Sequence, residues 1–180
     1  TNRLAKETSP YLFSHANQLI DWYPWSDEAL NKAKTENKLL FISIGYSACH
    51  WCHSMSKECF ENNTVADILN KHYICILVDK EERPDLDQIY LNAVQLMTDN
   101  AGWPLNCFAL HDGTPVFGGT YLTSSQFSDI AQSLQEAYCN QYDKVKEVGD
   151  DLIDALKHID VITQKEVSSK FSENDVKLIV

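Results

Sequence analysis

The chain has 180 residues, 44% of them hydrophobic and 23% charged, enough for one domain with a full core and a helical appendage. Its 26 acidic residues against 15 basic ones give a formal net charge of −11, which argues against a general nucleic-acid or anionic-membrane binder. No apolar run reaches the roughly 18 residues of a membrane span, and Thr1-Asn2-Arg3-Leu4-Ala5-Lys6 has no secretory apolar region.

Residues 1–25 read as an irregular segment packing on the domain that follows. Within it, Trp22, Tyr23 and Trp25 suit a hydrophobic lid over a core edge better than a ligand box. Ser26 caps a helix with Asp27 and Glu28 in its first turn and Ala29, Leu30 and Ala33 at helical spacing, ending near Asn37. Lys38 to Gly45 is a buried strand. Ser47-Ala48-Cys49-His50-Trp51-Cys52-His53 follows at once and runs on as a helix to about Phe60. A Cys-x-x-Cys where a core strand hands over to a helix is specific. Backbone N–H groups and the dipole at a helix N-terminus favour negative charge, and the thiolate is the reactive form of cysteine. Cys49 is therefore expected to be an exposed nucleophile of low pKa, and Cys52, one turn further in, the thiol that closes a disulfide.

A helical segment covers Asn63 to Asn70, and Tyr73 to Asp79 is a continuous apolar, β-branched run, the mark of a central parallel strand. Asp79, Glu81, Glu82, Asp85 and Asp87 read as a solvated acidic loop, since no spaced oxygen-ligand pattern accompanies them. Pro84 opens a helix from Asp85 to Met97. Ala101-Gly102-Trp103-Pro104 breaks the pattern. Leu105 to Leu110 and Pro115 to Thr120 form two strands joined by the turn His111-Asp112-Gly113-Thr114. A helix follows from Ser124 or Ser125 to about Val148. Past Gly149 come a second, Asp150 to Ile162, and a third, Ser168 to Val180. Its apolar end, Leu178-Ile179-Val180, suggests a fragment of something longer.

Of six cysteines, Cys75 and Cys107 lie inside apolar runs and read as reduced core residues. Cys59, two helical turns after Cys52, reads as packing, and Cys139 as a helix-face residue. A mostly unpaired complement suits the cytoplasm. Residue 1 is not Met, so a removed targeting segment, and with it an organellar or secreted setting, stays open.

Strand, helix, strand, then a β-hairpin and a helix, with Cys-x-x-Cys after the first core strand, is the α/β thioredoxin architecture: a central mixed sheet flanked by helices. The expected division is residues 1–25 as an N-terminal segment, 26–148 as the thioredoxin-like domain, and 149–180 as a helical extension leading to a further domain.

Asn2-Arg3-Leu4, Ser9-Pro10-Tyr11-Leu12, Asp21-Trp22-Tyr23-Pro24-Trp25, the run Ile44 to His53, Val78-Asp79-Lys80-Glu81-Glu82-Arg83-Pro84-Asp85, Gly102-Trp103-Pro104-Leu105-Asn106 and Phe117-Gly118-Gly119-Thr120-Tyr121 together resemble the thioredoxin-like domain of the DUF255, or spermatogenesis-associated protein 20, family. The match spans about residues 2–122. It implies a thioredoxin fold at the N-terminus of a longer protein that continues into an α/α-toroid domain, which is then a partner within the same full-length chain. It matches Cys49 to the attacking cysteine, Cys52 to the resolving one and Pro104 to a proline, usually cis, that faces the disulfide. Trp103 then offers backbone groups to an extended substrate peptide. Two departures stand out. Ser43 occupies the position of thioredoxin's buried aspartate, leaving Glu58 or a water to take the proton. His50-Trp51 fills the dipeptide between the cysteines, where an imidazolium at His50 favours the Cys49 thiolate and Trp51 limits bulky substrates.

These residues define a thiol–disulfide oxidoreductase acting on a protein or small-molecule disulfide, with no cofactor. Three other readings compete. Cys49-His50-Trp51-Cys52-His53 fits the c-type haem attachment pattern, but its strand context is wrong for a small cytochrome. The same Cys/His cluster holds enough ligand atoms for zinc, yet closed zinc sites draw on two separated pairs. A thioredoxin module that only docks a partner domain needs no chemistry at all, since fold does not imply function.

Overall fold

Two seven-residue strands that are buried along their whole length, β2 (Leu39–Gly45) and β3 (Tyr73–Asp79), form the centre of the protein. Runs with no polar face need cover on both sides. The computed structural model, which describes residues 1–175 and side chains up to residue 159, supplies that cover with helices on each face. The elements in order are α1 (Pro10–Ser14), β1 (Trp22–Tyr23), α2 (Asp27–Glu36), β2, α3 (His50–Met55, continued by a π-helical turn, Ser56–Phe60), α4 (Asn63–His72), β3, α5 (Pro84–Thr98), β4 (Leu105–Ala109), β5 (Pro115–Gly119), α6 (Ser124–Asn140) and α7 (Tyr142–Asp175).

The sheet order is β1-β3-β2-β4-β5. β1 and β2 run parallel to β3, and β4 and β5 are antiparallel additions on the other side of β2. One face, with Phe41, Cys75, Leu77 and Phe108, packs under α1, α3, α4 and α6. The other, with Leu40, Ile42, Ile44, Ile76 and Val78, packs under α2 and α5. This is the thioredoxin fold with added C-terminal helices. Local chemistry marks the helix starts. Ser26, Asn62 and Thr123 each accept a first-turn backbone N–H, and Thr123 with Gln126 completes a capping box.

Two expectations are corrected. Residues 1–25 are not irregular. They hold a short 3₁₀ turn (Arg3–Lys6), α1 and the edge strand β1, because Leu4, Leu12, Ile20 and Trp22 are needed to close one core layer and are at most 4% exposed. The C-terminal helices divide at Gln141, not at Gly149. A Cβ on Gly149 would stand 2.9 Å from Thr114 Cγ2, so that glycine lets α7 lie close on β5 instead of breaking the helix. The expected third helix falls partly on residues 176–180, outside the described residues.

Candidate active site

The C-terminal ends of β2 and β3 and the start of β4 meet at one rim of the sheet, where Gly45 pairs with Asp79 and Ile44 with Leu105. Beyond Gly45 the chain turns through Tyr46–Ala48 into α3. Cys49 is the N-cap of that helix, and its Sγ accepts the Cys52 backbone N–H at 3.2 Å. The two cysteines are paired as a disulfide, with Cα atoms 5.3 Å apart. The expectation of an exposed Cys49 is corrected: it is 5% exposed and belongs to the core layer together with Cys52.

The residues between and after the cysteines face outward. Trp51 is 60% exposed, with its ring edge-on to His50 at 5.2 Å and to Tyr121 at 5.8 Å. His50 is exposed too, while His53 Nε2–H donates to the Ser47 carbonyl at 2.6 Å and holds the turn. Across from Trp51, the Trp103–Pro104 peptide bond is cis. The Trp103 indole N–H donates to Asp87 Oδ1 at 2.7 Å, and the Lys80 ammonium sits 3.5 Å over the ring. Trp51, Trp103, Pro104, Thr120, Tyr121 and residues 100–102 line an open, mainly apolar groove of about 390 Å³. All six residues singled out from sequence therefore converge on one rim.

The acidic stretch is not simply a solvated loop. Asp79 is 5% exposed, accepting from the Ser9 hydroxyl at 2.7 Å and from the Glu81 N–H at 2.9 Å. Asp87 is buried against Trp103. Glu81, Glu82 and Asp85 are exposed, and the bidentate pairing of Asp85 with Arg83 holds its carboxyl down at about 2. Glu58 is engaged elsewhere: its two oxygens accept from the Tyr121 hydroxyl (2.6 Å) and the Ser124 N–H (3.1 Å), which lowers its pKa. It ties α3 to the start of α6. Ser43 is buried and neutral in β2.

One part of the site is not placed there by any sequence signal. α1 lies against the rim, and the Tyr11 hydroxyl and Cys52 Sγ both come within 2.8 Å of where a Cβ on Gly45 would stand. The Tyr11 ring meets His15 edge-on at 4.8 Å and His53 at 6.4 Å. His15 Nδ1–H donates to the Tyr11 carbonyl at 2.8 Å. The Ser9-Pro10-Tyr11 run was available as a motif, but only the fold shows that it reaches the cysteines.

The remaining cysteines are unpaired. Cys59, Cys75 and Cys107 are buried and Cys139 is exposed. Burial pushes the Cys59 thiol up to about 12 and raises Cys75 and Cys107 further. Among the described residues no group of three or more His, Cys, Asp or Glu side chains is placed to hold a metal ion. None of the described helices is long and apolar enough to cross a membrane.

Solved structures share this geometry at the level of fold. A thioredoxin from Thermus thermophilus aligns with a TM-score of 0.53 at 16% identity, covering 68% of this chain and 93% of its own. A DsbH oxidoreductase aligns with a TM-score of 0.51 at 16% identity, covering 65% and 85%. Closer in sequence are mouse spermatogenesis-associated protein 20, 51% identical over 120 residues, and an uncharacterized Caenorhabditis elegans protein, 44% identical over 162. Those alignments cover 67% and 87% of this chain but only 15% and 22% of the relatives, so the chain spans a small part of their length. The family described as "Protein of unknown function, DUF255" matches residues 1–157, and the chain, with its thioredoxin fold and paired Cys49–Cys52 rim, belongs to that family.

Proposed function

We propose that this chain is the thiol–disulfide oxidoreductase domain of a larger protein. Cys49 attacks a disulfide in a peptide or small molecule, and Cys52 resolves the mixed disulfide. The observation that carries this reading is the position of Cys49: it caps α3 at the end of a core strand, with its sulfur already accepting a backbone N–H. That donor and the helix terminus stabilise a thiolate more than a thiol. His50, on the exposed side, adds cationic character when protonated.

Trp51, Trp103 and Pro104 shape the substrate groove. Asp87 and Lys80 hold the Trp103 indole from its edge and its face, so the wall opposite the cysteines is rigid. A groove with open ends suits an extended peptide or a small disulfide better than a folded surface. Buried, unpaired Cys59, Cys75 and Cys107 suit a reducing compartment such as the cytoplasm. The remaining length of the relatives leaves room for a partner domain, the α/α-toroid of the family resemblance, on which the redox site would act. The domain division belongs to the same proposal: residues 1–25 are an N-terminal segment built into the core of the thioredoxin-like domain, and α7, continuous through Gly149, leads toward the further domain.

Redox titration by thiol trapping in glutathione buffers tests this directly. A reversible two-electron couple between about −120 and −270 mV is expected, abolished in Cys49→Ser and in Cys52→Ser. Cysteines that never pair in any buffer would leave a docking module without redox chemistry.

A further inference from the structure

If Cys49–Cys52 is a redox pair, Cys52 must become a thiolate to close it, and the structure gives that sulfur little help from its own helix. Cys52 is 3% exposed and lies one turn inside α3. Its backbone N–H is already donated to Cys49 Sγ. β2 beneath it contributes the neutral Ser43, and Asp79 at the end of β3 is a nearby negative charge that opposes a second one.

We propose that Tyr11 is the hydrogen-bond donor to the Cys52 thiolate, placed there by α1 and by the missing side chain of Gly45. The hydroxyl and the sulfur share the space beside Gly45 that any Cβ would fill. The phenol is 3% exposed, and burial together with Asp79 pushes its pKa well above the ordinary range. It therefore keeps its proton and acts as a donor, never as the base. Its position is fixed from both ends of α1. Ser9 donates to Asp79 at 2.7 Å, and His15 Nδ1–H donates to the Tyr11 carbonyl. The ionisable groups facing this pair are Cys49 and His53 on α3, Asp79 on β3, and His15 on α1 itself.

The chemistry balances without a cofactor. The Cys49 thiolate attacks one sulfur of R–S–S–R′, forming the Cys49–S–R bond and expelling R′–S⁻. The Cys52 thiol proton passes to that departing thiolate, giving R′–SH. The Cys52 thiolate, held by the Tyr11 O–H, attacks Cys49 Sγ. The Cys49–Cys52 bond forms and R–S⁻ leaves with the electron pair of the broken bond. Two electrons move from the dithiol to the substrate, and Tyr11 ends as it began.

The test is the titration of Cys52 itself, read from the Cβ NMR shift of labelled cysteine in a Cys49→Ala chain. Tyr11→Phe removes one oxygen and keeps the ring. The apparent Cys52 pKa is expected to rise by about one unit, with roughly tenfold less thiolate at a given pH below it. A ring-fluorinated tyrosine at position 11, a stronger donor of nearly the same shape, is expected to lower it, and this chain decides the matter if the Phe variant does not fold. A Cys52 titration that does not move in Tyr11→Phe, or that moves upward with the fluorinated residue, overturns the proposal. In the chain with both cysteines, a pair that cycles normally while the titration stays fixed defeats Tyr11 alone. A titration that moves in a chain whose pair never closes upholds Tyr11 and defeats the oxidoreductase reading.

Discussion

Gly45 is the narrowest point of the site. It ends β2, pairs with Asp79, and has both the Tyr11 hydroxyl and the Cys52 sulfur against the space its Cβ would fill. Its backbone is ordinary strand, so the need for glycine here is space, not a left-handed conformation. Alanine would set a methyl 2.8 Å from Cys52 Sγ and closer still to the Tyr11 hydroxyl. The sulfur is tethered by its helix and the tyrosine is a buried side chain of α1, so neither yields without moving an element. Overpacking of this kind costs about 1–3 kcal/mol, and Gly45→Ala is expected to fall at the upper end. Urea unfolding of the oxidised chain measures it. A variant as stable as the parent would mean that α1 moves aside freely, contrary to its buried contacts. Ser43, two residues earlier in the strand, shows the complementary point. A small neutral side chain fits there without a partner charge, whereas the carboxylate familiar from thioredoxin would lie in a buried strand pair opposite Asn106, itself fully buried.

At the scale of elements, α1 is five residues long and cannot be stable alone. It is held by Pro10 in its first turn, the Ser9 cap and the buried side chains Tyr11 and Leu12, with His15 just past its end. His15 is 3% exposed, and burial holds its pKa below the usual histidine range, against the smaller opposing effect of its bond to the Tyr11 carbonyl. The folded site therefore resists a proton that the unfolded chain accepts near pH ~6.5. The contribution to stability is complete above that pH and is lost as pH falls through the lower folded value. Unfolding free energy is expected to fall between about pH 7 and pH 5, by at most about 1.4 kcal/mol per unit from this group. His15→Gln should flatten that limb. His72, also shifted down by burial but more exposed, leaves a smaller residue of the same slope. An unchanged slope in His15→Gln would show that the imidazole is charged in the fold or already free to leave α1.

Over the whole molecule, what could be read from sequence follows from how much each element's own residues say. β2 and β3 are continuous apolar runs, and the Cys-x-x-Cys stands at a strand-to-helix junction, so the centre of the sheet and the cysteine pair are both legible. The groove wall at Trp103 and Pro104 was legible through a family resemblance, because nothing in the local pattern brings it opposite Cys49. β1 has two residues, too few for any period, and α1 has five. The break at Gln141 has neither glycine nor proline to announce it, while Gly149, which looks like a breaker, serves close packing. The N-terminal segment, with elements this short, gives no periodic signal, and its removal is the sharpest test of the architecture. Leu4, Tyr11, Leu12, Ile20 and Trp22 belong to the same core layer as Phe41, Cys49 and Cys52. Deleting a single large core side chain costs about 2–5 kcal/mol, and a domain's whole margin is about 5–15 kcal/mol. Losing five such side chains costs about 10–25 kcal/mol, and about 5–12 kcal/mol even if each loss is discounted by half, which is the size of the whole margin before the edge strand and its pairing to Cys75 and Ile76 are counted. A chain starting at residue 26 is expected to lose its near-ultraviolet circular dichroism and its cooperative thermal transition while keeping much of its helix content. If that shortened chain melts cooperatively and still closes Cys49 onto Cys52, the first 25 residues are an accessory to the domain, and α1 has no part in holding the rim that carries the cysteine pair.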